Sequence, residues 1–406
     1  MKEIALKAVY GKSRLRGLRE EDIASMLDDL ILTSSISYDT LNQKSESDKN
    51  TEIVIGDGRD VKYPLLLSHP LFVDANHFAK VNKSVRIALA YGASMTKTPL
   101  NIGEGILPEE RRIAKKFDGD LILQWSPIRI GIDLNNLSIG KAIAIDLRGL
   151  NQIKMHSLNV LTERVQGKDG LITGDVFGPS GHLDIEKSKD LKKHVELLRE
   201  VTNYSIPILI KISPGGVYEN TKSALEADVD ALIIDTSLDP FSTPSAIKGT
   251  FGRSLIGSIP PAMKALKATK AQEKGVKLIV SGGVRGGADI LKVLALGADA
   301  VGVVEPVAIA IGCNLCGECH IGKCKKGIAT KESQLRSSFD WKSAGKRLAN
   351  YIKAVKKEIE LVMDYIGVRD IKDVDSKYIK ALTYDAAAIT GVKLMGYDRE
   401  LPMWFH

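Results

Sequence analysis

The sequence predicts a (β/α)8 TIM barrel with a cysteine-bearing loop after the last strand and a C-terminal helical extension. Three observations carry this. First, unbroken apolar runs alternate with amphipathic helical segments, the pattern of strands covered by helices on both faces. The runs are Pro64 to Leu67, Ala93 to Thr96, Leu121 to Trp125, Ala142 to Ile145, Ile208 to Ile212, Ala231 to Ile234, Leu278 to Val280 and Ala300 to Val304, enough to close a barrel. Second, polar residues stand at the carboxyl ends of these runs: Lys97, Gln124, Asp146, Lys211, Asp235 and Ser281. In a barrel those ends converge on one mouth. Third, Lys277 to Cys324 reads as strand, glycine turn, helix, strand and then a cysteine cluster. Alternation alone also suits an open doubly wound sheet; the repeated polar strand ends favour the barrel.

In chain order, residues 1–51 form a polar N-terminal arm with two short helical patterns, the better at Glu20 to Leu32. A Ser/Asp/Lys-rich run from Ser45 to Thr51 reads as a loop. Residues 52–330 carry the barrel and the cysteine loop, with Ser188 to Val201 an example of the covering helices. Residues 331–406 turn helical, most clearly over Trp341 to Ile366 and again over Val374 to Thr390. They are expected to pack over the cysteine loop and the barrel flank, or to serve oligomerisation.

Composition narrows the function. Apolar residues at 44% and charged residues at 26% are those of an ordinary globular protein. The net charge of +7 suits an anionic ligand, but the basic residues are scattered and aromatics are only 5%, so no nucleic-acid platform is expected. The start, MKEIALKAVYGKSRLRGL, lacks the apolar core of a secretory signal, and no stretch is apolar enough to cross a bilayer. With clustered rather than paired cysteines, a reducing cytoplasm is the expected setting.

Two constellations carry chemistry. Gly282 and Gly283 follow an apolar strand and feed a helix at Ala288 to Leu296, so backbone amides there can approach a phosphate with the helix dipole behind them; plain turn chemistry is the alternative. The four cysteines, Cys313, Cys316, Cys319 and Cys324, are spaced C-x2-C-x2-C-x4-C and are all the cysteines of the chain. Thiols this close cannot all form unstrained disulfides. A compact run wraps one iron-sulfur cluster, whereas structural zinc prefers separated pairs, so a cluster is expected and zinc is the competing occupant. His320 is a further candidate ligand, or a solvated loop histidine.

The segment GCNLCGECHIGKCKKGIAT resembles the iron-sulfur loop of the FMN-binding domain of glutamate synthase, in its short archaeal-type form. The preceding SGGVRGGADILKVLALGADAV is similar to that family's FMN-phosphate segment, Asn101 to Gly105 with Leu107 to Arg111 to its NTGEGG and LPEER segments, and Leu382 to Val392 to its C-terminal helix. The resemblance spans about residues 52 to 395. It implies a flavin barrel that reduces an imine, formed from a 2-oxo acid and ammonia, to glutamate. Carried over by position, Ser281, Gly282, Gly283 and Arg285 would face the FMN phosphate, with Gln124, Lys211, Gly302 and Val303 as further flavin contacts. Lys211 and Glu104 would be catalytic, the lysine neutralising charge at flavin or substrate and the carboxylate carrying a proton. Core-capping for Lys211 and helix-capping for Glu104 are the alternatives. The cysteines would hold a 3Fe-4S or a 4Fe-4S cluster.

The chain also departs from that pattern. Val73-Asp74-Ala75-Asn76-His77 replaces a glycine- and serine-rich segment after strand one, and Leu238 to Thr243 replaces a GGTG loop after strand six. Asp146 replaces the lysine ending strand four, Gly149 to Gln152 the glycine-rich substrate loop, and Val304-Glu305 a phosphate-binding Gly-Thr. These changes add bulk, and Glu305 is expected to repel a phosphate dianion. The start Met1-Lys2-Glu3 offers no N-terminal cysteine for a glutaminase, so separate electron-donor and glutaminase subunits are expected. Two functions follow: a glutamate synthase-like FMN and iron-sulfur oxidoreductase, or a flavin-free iron-sulfur electron-transfer or scaffold subunit.

Overall fold

The computed structural model describes residues 2–11, 25–34, 49–74, 81–127, 129, 134–148, 182–237, 254–316, 319, 323–330 and 332–397. The chain enters through helix α1 (Lys2–Tyr10), strand β1 (Leu30–Leu32) and a hairpin of β2 (Ile53–Ile55) and β3 (Leu65–Leu67). Eight parallel strands then close a barrel: β4 (Leu71–Asp74), β5 (Leu100–Asn101), β6 (Leu121–Trp125), β7 (Ala142–Asp146), β8 (Ile208–Ile212), β9 (Ala231–Asp235), β10 (Lys277–Ser281) and β11 (Ala300–Val303). Closure is made by β11 on β4, with Val301 opposite Leu71 and Val303 opposite Val73. Strands β7, β8 and β9 are buried at every position, which is why they read as solid apolar runs.

Helices cover the barrel: α2 (Lys83–Met95), α3 (Pro108–Phe117), the short α4 (Leu134–Leu137), α5 (Ser188–Val201), α6 (Val217–Glu226), α7 (Leu255–Thr269) and α8 (Gly287–Ala295). After β11 come α9 (Glu305–Ala310), α10 (Ser333–Ser337), the long α11 (Trp341–Ile366), strand β12 (Ile379–Ala381) and α12 (Tyr384–Thr390). The ends of α11 are written in the sequence. Asp340 accepts from the amides of Lys342 and Ser343, and Gly367 closes the helix at φ +79°. Where α11 crosses α2 the backbones touch: a Cβ on Gly92 would lie 2.6 Å from the Gly345 carbonyl, and one on Gly345 2.8 Å from that of Ala88.

Two of the expected barrel strands lie elsewhere. Pro64 to Leu67 contributes β3, antiparallel to β2, with Leu66 exposed between buried Leu65 and Leu67. A short apolar run does not distinguish a one-sided hairpin from a covered strand. This hairpin carries Arg59, which holds buried Asp230 at 3.1 Å, beneath the start of β9. Ala93 to Thr96 is the end of α2, whose small apolar residues mimic a strand; the barrel strand is the polar-ended Leu100–Asn101. Lys97 therefore lies outside the mouth, at φ +49°, donating to the carbonyls of Phe117 and Asp118.

The terminal segments also depart from expectation. Within Glu20 to Leu32, residues 20–24 lie outside the described residues. Met26–Asp29 is a single 3-10 turn capped by Ser25, and Leu30–Leu32 pairs antiparallel with Ile379–Ala381. Residues 45–48 also lie outside them. Val374 to Thr390 is not one helix but a 3-10 turn (Ser376–Tyr378), β12 and the short α12. Pairing between the two ends of the chain makes this strand, and no local pattern announces it.

Candidate active site and cysteine loop

The carboxyl ends of the barrel strands meet in a buried polar layer. Lys211 on β8, fully buried, donates from Nζ to both oxygens of Asp74 on β4, at 2.7 and 2.8 Å. Asp74 also accepts from Asn101 Nδ2 at 2.8 Å and Ser281 Oγ at 2.6 Å. Gly302 makes room for this cluster, since a Cβ there would lie 2.6 Å from Ser281 Oγ and 3.0 Å from Asp74 Cβ. Val303 beside it is buried.

A second cluster surrounds Arg148. Its guanidinium donates to Asp146 at 2.7 and 2.5 Å and also binds Asp235. Gln124 Nε2 donates to Asp146 at 3.2 Å, and Ser237 donates to Asp235 from both its amide and its hydroxyl. Burial opposes the charge of Asp146, but neighbouring Arg148 outweighs it and holds the carboxyl below the usual carboxylate range. Asp146 and Asp235 in turn hold the Arg148 guanidinium more firmly charged than usual against its burial. Across both clusters, among the described residues, three carboxylates face two cations.

Glu104 is half-buried on a tight turn between Gly103 (φ +68°) and Gly105 (φ +69°). Asn101 Oδ1 accepts from the Gly103 amide at 3.0 Å, and Arg86, paired with Glu110, donates to the Glu104 and Gly105 carbonyls. The turn is thus tied to the mouth and rigidly held. Beside it a recess of about 210 Å³ is lined by Ile102, Gly103, Gly105, Leu123, Gln124 and Leu137. Gln124 Oε1 is buried there without a partner among the described residues.

The glycine turn after β10 is packed by the protein itself. A Cβ on Gly282 (φ +87°) would lie 2.6 Å from Ser237, and the Gly283 amide points to Glu305 Oε2 at 3.4 Å. Arg285 does not reach toward the mouth residues. Its guanidinium binds Asp289 at 2.8 Å and Asp28 at 2.6 Å, and those carboxylates, Asp289 first, raise its pKa. As they stand, the described residues do not fit an FMN phosphate: the amide and the cation expected to receive it each face a carboxylate of this chain.

The cysteine loop leaves the end of α9. Cys313, Cys319 and Cys324 are buried and Cys316 is exposed. A hydrogen bond from Cys319 lowers the Cys324 thiol to about 5 against its burial, aided by the amides of Ala329, Ile328 and Lys326. The same bond, with burial and the other thiols, pushes Cys319 up. A thiolate cradled by N–H groups beside two further buried thiols is a donor set that fits an iron-sulfur cluster. Among the described residues no three Cys, His, Asp or Glu side chains converge on one metal-ion position. The loop is held by Arg347 of α11, which donates to the carbonyls of Ala310 and Ile311, and by Asn82, which donates to Gly327 at 2.6 Å. His320 and the departures at Ala75 to His77, Gly149 to Gln152 and Leu238 to Thr243 lie outside the described residues.

Sequence reading missed Asn101, Arg148 and Ser237 as mouth residues and named Asp74 only as a departure. The rule of polar strand ends would have found Asn101 and Asp74 had the first two strands been placed correctly. Arg148 and Ser237 sit two residues beyond their strands' terminal aspartates, an Asp-x-polar repeat present in the sequence as Asp146-Leu147-Arg148 and Asp235-Thr236-Ser237.

The eight parallel strands and the helices between them define a closed (β/α)8 barrel. The flavin-binding domain of baker's yeast flavocytochrome b2 superposes with a TM-score of 0.53 at 18% identity, covering 87% of this chain and 76% of that one. Flavocytochrome b2 carrying benzoylformate gives 0.55 at 19%, over 92% and 80%. Residues 24–369 match the family described as the conserved region in glutamate synthase, and the chain belongs to that family. A glutamate synthase large subunit-like protein of Rhizobium meliloti is 30% identical over 97% of this chain and 93% of its own length. The archaeal-type glutamate synthase [NADPH] of Thermotoga maritima is 28% identical over 88% and 70%, and the archaeal glutamate synthase [NADPH] of Archaeoglobus fulgidus 29% over 76% and 61%. The family is one of glutamate synthase-type oxidoreductases. Among the described residues, no helix is long and apolar enough to cross a membrane.

Proposed function

We propose that this chain is the iron-sulfur-bearing barrel of a glutamate synthase-type oxidoreductase, whose reaction is reduction of the imine formed from a 2-oxo acid and ammonia. The observation that carries this is the thiol set on the loop after α9, buried Cys313, Cys319 and Cys324 with exposed Cys316, as the proposed ligands of a 3Fe-4S or 4Fe-4S centre. Separate electron-donor and glutaminase subunits complete the reaction. The NADPH in the names of the archaeal-type relatives supports a pyridine-nucleotide donor. The cytoplasm is the proposed location.

Two readings differ in where the flavin sits. In the first, FMN binds at this barrel's own mouth against Gln124, Ser281, Gly282, Gly283, Arg285, Gly302 and Val303, with Lys211 and Glu104 catalytic. Family membership supports it, as do Lys211 at a strand end and Glu104 on its fixed turn. In the second, the barrel is a flavin-free electron-transfer or scaffold subunit. The bidentate Asp74–Lys211 pair favours it, because the lysine at the end of β8 is already paired with a carboxylate of this chain.

The test is an anaerobic absorbance spectrum of the purified protein with iron and extractable-flavin assays. Iron with about one FMN per chain supports the first reading and justifies assaying ammonia-dependent reduction of 2-oxo acids. Iron without flavin supports the second. Absence of iron after anaerobic reconstitution refutes the proposal as a whole.

A further inference from the structure

We propose that the mouth of this barrel is closed to FMN by the chain's own carboxylates, Asp74 on the Lys211 ammonium and Glu305 on the Gly283 amide. Phosphate groups in (β/α)8 barrels are received by the loops after the seventh and eighth strands and a following helix N-terminus. In this chain those loops are Ser281-Gly282-Gly283 after β10 and Val304-Glu305 after β11. The Gly283 amide is directed at Glu305 Oε2 at 3.4 Å, a long contact that still places a carboxylate where an anionic ligand would be received.

Among the described residues, a neighbouring cation and a helix-start amide are also engaged. Arg285 is held by Asp28 and Asp289. The Gly287 amide, first in α8, donates to Glu358 Oε2 at 2.9 Å, and Glu358 is paired with Lys7 at 2.7 Å. A Cβ on Gly287 would lie 2.6 Å from Glu358 Cβ and from the Ile359 amide, so this helix start packs against α11 and is closed to a ligand. The glycines of this turn are therefore accounted for by close packing within the chain.

The flavin side of the mouth is treated in the same way. Lys211 is chelated by Asp74, and among the described residues of the layer three carboxylates stand beside two cations. A phosphate dianion entering here would have to displace Glu305 and then remain beside it, and like charges a few ångströms apart repel. The inference takes from the proposed function only the choice of FMN as probe; it does not depend on the cluster.

The test titrates full-length protein with FMN and, separately, with riboflavin, following flavin fluorescence, for wild type, E305Q, E305G and D74N. Iron content and circular dichroism are measured on each. Wild type is expected to leave FMN fluorescence unchanged, while E305Q and E305G gain FMN affinity by about tenfold or more over riboflavin, since only FMN carries the phosphate. D74N is expected to raise affinity for both flavins equally. Stoichiometric FMN binding by wild type would overturn the proposal. So would folded, iron-containing E305Q and E305G that bind FMN no better than wild type. E305Q alters a single half-buried surface group and keeps the test decisive if D74N does not fold. Loss of iron from wild type would refute the cluster reading and leave the flavin titration readable.

Discussion

Replacing Asp74 with Ala is the sharpest perturbation of the mouth. The substitution removes both acceptors of the Lys211 ammonium and the acceptors of Asn101 and Ser281, in a site where Asp74, Asn101, Lys211 and Ser281 are all fully buried. Breaking a buried pair by deleting one partner costs about 3–5 kcal/mol, because the remaining charge is stranded. The neutral donors Asn101 and Ser281 lose their carboxylate acceptor as well, so the upper part of that range is expected. Replacing Lys211 with Met strands Asp74 in the same way, though Asn101 and Ser281 still donate to it, which places that variant lower in the range. The double variant Asp74→Ala/Lys211→Met strands no charge, and its cost should be well below the sum of the two. The assay is urea denaturation of all four proteins, read as a double-mutant cycle. A coupling of about 2 kcal/mol or more is expected. Additive costs would mean that Lys211 and Asp74 do not neutralise each other, and would remove the main argument for a self-paired mouth.

Three further outcomes are expected. The carboxyl of Asp146 is held low, so its folded-state pKa lies below the unfolded value, and its stabilisation is present above about pH 4 and lost as the pH falls through the folded value. The gap in thermal midpoint between wild type and Asp146→Asn should therefore be widest at neutral pH and narrow in acid; a constant gap would refute this. Serine at Cys313, Cys319 or Cys324 should empty the loop of iron. Serine at exposed Cys316 should leave a three-iron EPR signal, and loss of all iron from that variant would make Cys316 an obligate ligand. Gly92→Ala puts a methyl 2.6 Å from the Gly345 carbonyl, so α2 and α11 must separate, at a cost of about 1–3 kcal/mol read from the urea midpoint.

Much of this architecture is written locally. The six strands from Leu121 onward read correctly because each is an unbroken apolar run that the barrel buries on both faces. Helices Ser188–Val201 and Trp341–Ile366 read to the residue because amphipathic period, capping Asp340 and terminal Gly367 agree. The first two strands failed where the signal is degenerate. A three-residue leucine run fits a hairpin as well as a barrel strand, and the alanine-rich end of α2 fits either period. Position 285 failed for another reason: its partner Asp28 lies in the N-terminal arm, and nothing within the glycine segment indicates that an aspartate arrives there.

By itself the sequence determined that the chain is a (β/α)8 barrel, that polar residues stand at its strand ends, and that its four cysteines fall in one short segment, because these follow from short-range periodicity and spacing. Only the tertiary structure decided which charges meet. Asp74 and Lys211 are far apart in the chain, as are Glu358 and Lys7, and barrel closure and the crossing of α11 bring each pair to within 3 Å. A buried charge is tolerated only where the fold supplies its partner. The balance of the mouth, and with it the choice between a flavin and the chain's own carboxylates, is therefore set by long-range closure.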